Sequence, residues 1–136
     1  MTSDMLLPVL VQVLLTVVMY FALAVAKSRA LKAGLVDLER RALHDDAWPE
    51  SVMKINNNIR NQFELPVLFY VLTLILWQFG DVDRLALALA WLFVASRIVH
   101  AWIHTRSNYV PARRRVFTFG VVMVLAMAAV ALRQLH

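Results

Sequence analysis

The chain has 136 residues, of which 61% are hydrophobic, 17% are charged and none is cysteine, with a net charge of +5. Soluble domains are nearer half apolar and a quarter charged, so this composition argues for a membrane protein, and the length allows one domain, 1–136. The missing cysteines exclude a disulfide framework, a thiol nucleophile and a cysteine metal site. The basic excess is read as a topology signal, with no nucleic-acid partner expected.

The first apolar run, Leu6 to Ala26, is long enough to cross ~30 Å of hydrocarbon. It exceeds a signal-peptide core, and no Lys or Arg precedes it, so it is expected to be a retained span. Pro8 falls in its first turn, where proline is tolerated. Gly34 is expected to end the helix. Residues 35–50 read as a polar loop, and Pro49 fits the first position of a new helix, with Glu50 near its positive end. That helix carries Asn56-Asn57-Asn58, poor helix formers whose presence suggests that some amides have partners.

The second span is predicted over 63–79, with Pro66 kinking it just inside the membrane. Gly80-Asp81-Val82-Asp83 reads as a tight turn that makes the second and third spans antiparallel neighbours. The third span is predicted over 85–103, followed by a loop from Thr105 to Pro111, the triplet Arg113-Arg114-Arg115 and a fourth span over 116–132. The fold class is therefore all-α, an integral membrane bundle of four spans. The connection between the first two spans carries seven Lys and Arg, that between the last two carries four, and the opposite side has only Arg84 and Arg133. The basic connections are thus expected in the cytoplasm, with both termini outside.

Charged and amide side chains inside a span are costly and usually have a use. Asn57, Asn61 and Glu64 share one helix face by spacing, as do Arg97, His100 and His104 on the third span. Both sets fall at the cytoplasmic end. A Glu64–Arg97 pair would neutralise both charges, either as a helix-locking ion pair or as the wall of a polar pocket. His100 and His104 have a spacing compatible with a metal, but the pattern is weak and no metal is expected. The arginine triplet reads as a topology anchor or as a source of one inward cation, and its spacing does not choose among the three. The tryptophans read as interface or packing residues and the methionines as apolar filler.

At these residues the chain resembles the membrane-associated proteins in eicosanoid and glutathione metabolism, the MAPEG family, in its bacterial branch. The second-span signature is similar to Asn61-x-x-Glu64 with Pro66, here Arg60-Asn61-Gln62-Phe63-Glu64-Leu65-Pro66. Arg97, His100 and His104 match the third-span pattern, with His where eukaryotic members often have Tyr. Arg113, Phe117 and Gly120 match the opening of the fourth span, with Arg115 and Phe119 as the alternative register. The resemblance implies a homotrimer in the bacterial inner membrane that binds glutathione between subunits. It implies that Arg60, Asn61, Glu64, Arg97, His100 and His104 line the glutathione site, that Arg113 stabilises the thiolate, and that a lipophilic small molecule reacts after entering from membrane lipid. Asn57 and Phe117 stand where active members often carry Arg and Tyr. A non-catalytic lipid-binding or partner-binding protein on the same scaffold is the alternative. A small transporter subunit is a weaker reading, because the polar groups cluster at one end.

Overall fold

The computed structural model describes residues 2–80 and 83–135. After a 3-10 turn at Thr2–Met5, its helices are α1 (Leu6–Lys32), α2 (Glu50–Gln62), α3 (Leu65–Gln78), α4 (Arg84–Thr105) and α5 (Val110–Gln134). Four segments are long and apolar enough to cross a membrane: Ser3–Lys32, Glu50–Gln78, Arg84–Thr105 and Val110–Gln134. The chain is an all-helical, four-span membrane bundle.

Gly34 ends α1 as expected. Its φ of +67° is left-handed, and Gly34 and Leu35 donate their N–H groups back to Leu31 and Ala30 at 3.1 Å. That is the paired closure glycine permits at a helix C-terminus. Pro49 sits one residue earlier than expected, as the residue preceding α2, and its carbonyl accepts from Val52 and Met53.

The second span is broken, not kinked. α2 ends at Gln62, Phe63 and Glu64 leave helical geometry, and α3 restarts at Leu65 with Pro66 in its first turn. Pro66 has no N–H for the Gln62 carbonyl and its ring crowds that carbonyl, so the helix gives way at the preceding residues. α5 begins at Val110, not at Val116, because Asn108 turns the chain with φ +51° and Pro111 suits a first helical turn. The arginine triplet therefore lies inside the helix.

The main core joins α3, α4 and α5 around Phe69, Phe93, Val124 and Met127. Phe69 stacks on Phe93 with ring centroids 4.5 Å apart. Although α3 precedes α4, the most extensive partner of α4 is α5, so the expected neighbour pairing is only a minor contact. The tight turn expected at Gly80–Asp83 falls partly outside the described residues, at Asp81 and Val82. Asp83 caps α4 by accepting from Leu85 N–H at 2.8 Å and pairs with Arg133 at the far end of α5. A second cluster, Leu23, Ala30, Val52 and Ile59, binds α1 to α2. Much of the remaining apolar surface is exposed, including Leu14, Phe21, Leu68 and Leu125, as lipid-facing helices require.

Candidate functional site: a polar cluster beside an arginine-lined cleft

Most of the buried polar side chains converge where α2 meets α4. Arg97, His100 and His104 lie on one face of α4, and Arg97 is 0% exposed. Arg97 Nη2 donates to His100 Nδ1 at 3.3 Å. Asn58 Nδ2 and Asn61 Nδ2 each donate to His104 Nδ1 at 3.4 Å. Guanidinium and amide N–H groups only donate, so each Nδ1 must accept and each ring is the neutral tautomer protonated at Nε2. Asn61 thereby keeps its carbonyl oxygen free as an acceptor.

A chain of amides backs this face. Gln12 Nε2 donates to Gln62 Oε1 at 2.7 Å, and Gln62 Nε2 donates to Asn58 Oδ1 at 3.2 Å. Gln12, Gln62 and Asn58 are all fully buried. The expectation that amides of the Asn56–Asn58 triplet have partners is met at Asn58; Gln12 and Gln62 carried no expected role, although a lone glutamine inside the first apolar run and an Asn-x-x-x-Gln spacing are signals of buried amides.

A cleft of about 270 Å³ opens beside the cluster, lined by Asn61, His100, Val110, Arg113, Arg114 and Phe117. Arg113 Nη1 donates to Asn108 Oδ1 at 2.5 Å, which ties its guanidinium to the α4–α5 turn. Phe117 lies between the layers, 5.9 Å from the His100 ring and 5.7 Å from the Arg97 guanidinium carbon. Arg97 Nε and Nη1 are buried and, among the described residues, have no hydrogen-bond partner. Buried guanidinium groups call for an anion or another acceptor. The donor set thus fits a carboxylate-bearing ligand with an amino group for Asn61.

Several expected placements differ. Asn57 is exposed and Asn58 is the inward residue. The expected Asn57–Asn61–Glu64 face does not form, because the break at Phe63 and Glu64 interrupts the helical register. Glu64 is exposed and, among the described residues, makes no salt bridge; the Glu64–Arg97 pair is not made. Arg60 is likewise apart from the cleft. It is exposed and pairs with Asp45 in the loop between α1 and α2. Among the described residues, no three of His, Asp and Glu gather as a metal-holding group. In the arginine triplet, Arg113 and Arg114 line the cleft, whereas Arg115 lies on another side of α5 beside Leu92 and Phe119.

The fold and this cluster define a four-span helical membrane protein with a polar cleft at its basic end. Residues 5–133 match the family model described as "MAPEG family", and the chain belongs to that family. No curated protein and no solved structure matches it.

Proposed function

We propose that the chain is a glutathione-dependent transferase or peroxidase acting on lipophilic electrophiles or hydroperoxides. It works as a homotrimer in a bacterial inner membrane, with both termini outside and the two basic connections in the cytoplasm. The observation that carries this reading is the cleft in which Arg113, Arg114, His100 and Asn61 meet, next to the buried Arg97, whose Nε and Nη1 have no partner among the described residues. Glutathione has two carboxylates for guanidinium groups and one ammonium for a carbonyl or carboxylate oxygen. The free oxygen of Asn61 and the exposed carboxylate of Glu64 are acceptors for that ammonium. Glu64 and Arg60 join the site from a subunit boundary, which fits their exposure in the single chain.

Glutathione supplies the thiol, and a cation beside a thiol favours the thiolate, which is the nucleophile. Arg113 is the residue for this role, because Asn108 holds its guanidinium at the cleft. A lipophilic acceptor reaches the cleft along the lipid-facing helices. Calorimetry on the purified oligomer tests the reading: it predicts saturable glutathione binding, and no binding at millimolar glutathione would overturn it.

One observation favours the second reading, a non-catalytic lipid-binding or partner-binding protein. Phe117, not a hydroxyl-bearing residue, lines the cleft, and Asn57 is exposed. Retained lipid without thiol-dependent turnover would support it.

A further inference from the structure

A second hollow lies between α4 and α5, on a different side of α5 from the polar cleft. Leu92, Ala95 and Val99 form one wall, and Val116 and Phe119 form the other. Its volume is about 370 Å³, in the range of small-molecule sites. The lining is almost wholly apolar, and Ser96, which also borders the groove, donates its hydroxyl to the Phe93 carbonyl at 2.6 Å. Gly120 brings the two helices together here: a Cβ at that position would stand 3.2 Å from Ser96 Oγ. The groove is therefore a property of small residues in the packed bundle.

The one charge on this groove is Arg115, at its basic end. Arg113 and Arg115 differ by two positions, roughly 200° around a helix, so one triplet serves two faces. Arg115 is exposed and, among the described residues, makes no salt bridge or side-chain hydrogen bond. Neither α4 nor α5 contains an Asp or Glu, and Arg113 and Arg114 add positive charge beside it. Nothing on the two helices that form the groove can neutralise Arg115. An apolar slot that faces lipid and ends at an uncompensated guanidinium is complementary to an acyl chain that ends in an anionic headgroup.

We propose that the α4–α5 groove is a site for an anionic membrane phospholipid, with one acyl chain between Leu92 and Phe119 and the headgroup phosphate on Arg115. The site is separate from the glutathione cleft and does not depend on it. Because α4 carries Arg97 and His100 and α5 carries Arg113, the lipid braces the two helices that present the polar residues.

Native mass spectrometry of the delipidated, detergent-solubilised protein tests the site. The probes are phosphatidylglycerol, phosphatidylcholine with the same chains, and free oleate. The expected result is tighter binding of phosphatidylglycerol than of phosphatidylcholine, with Arg115→Gln weakening it by about fivefold, the worth of one interfacial arginine. Ala95→Phe, which fills the groove and leaves the charge, should weaken it too, and Arg41→Gln, at a loop arginine, should not. Equal binding of the two phospholipids, or unchanged phosphatidylglycerol binding in Arg115→Gln, would overturn the proposal. Tighter binding of oleate than of phosphatidylglycerol would overturn it in favour of a free fatty acid.

Discussion

Gln12 on α1 and Gln62 on α2 are joined by a buried hydrogen bond between side-chain amides, Nε2 donating to Oε1 at 2.7 Å, across 50 residues of sequence. From Gln62 the donors continue through Asn58 to His104. Each amide gives its N–H onward, so the chain has one direction, and it ends by fixing the tautomer of His104, whose ring lies edge-on to the cleft-lining His100.

Gln62→Leu should therefore strand the Gln12 amide and remove the donor to Asn58 Oδ1. Buried polar groups left without partners cost about 1–3 kcal/mol, less where a membrane lets them find others. Thermal unfolding in detergent should show a lower Tm for Gln62→Leu than for Gln12→Leu, which strands only one acceptor. Nitrogen NMR of the histidine rings should show His104 leaving its single Nε2–H tautomer in Gln62→Leu. An unchanged His104 signal would mean that the amide chain only packs.

Arg97→Met should separate binding from stability. The variant removes a buried cation whose Nε and Nη1 lack partners among the described residues. Replacing a poorly compensated buried charge by an apolar side chain is often neutral or stabilising. Tm should hold or rise. Glutathione affinity should fall, because Arg97 holds His100, which lines the cleft. A large loss of Tm with affinity kept would make Arg97 structural.

Gly120→Ala should destabilise the bundle by about 1 kcal/mol, because tight cores tolerate added methyl groups poorly. The new Cβ would lie 3.2 Å from Ser96 Oγ and 3.4 Å from Leu65 Cδ2. Removing the Ser96 hydroxyl in a Gly120→Ala, Ser96→Ala double variant should recover most of the Tm. Failure to recover would place the conflict at Leu65 instead.

Asp83→Ala should lower Tm by removing both the α4 cap and the partner of Arg133. A lost N-cap costs about 1 kcal/mol. Arg133→Gln keeps the cap, and its smaller effect on unfolding measures the exposed ion pair, worth roughly 0–1 kcal/mol.

The four spans were legible because each is a long apolar run, and Gly34 was legible because only its backbone fits the closing turn. The Arg97–His100–His104 face was legible because one unbroken helix preserves its spacing. The polar face of the second span was not, because the break before Pro66 divides it into two helices and leaves Glu64 outside both. The arginine triplet was ambiguous in sequence, since its register depends on where α5 starts. Once the helix begins at Val110, Arg113 and Arg115 separate to different faces. Gln12 and Gln62 escaped attention because an isolated amide carries no motif; only its partner, far away in the chain, gives it meaning.

Glutathione binding at the cleft through Arg113 is decided by isothermal titration of glutathione into the purified oligomer, wild type beside Arg113→Ala and Arg115→Gln. Saturable binding is expected in wild type and in Arg115→Gln, and strongly weakened binding in Arg113→Ala with the oligomer intact. No saturable heat from wild type at millimolar glutathione, or equal affinity in Arg113→Ala, would contradict it.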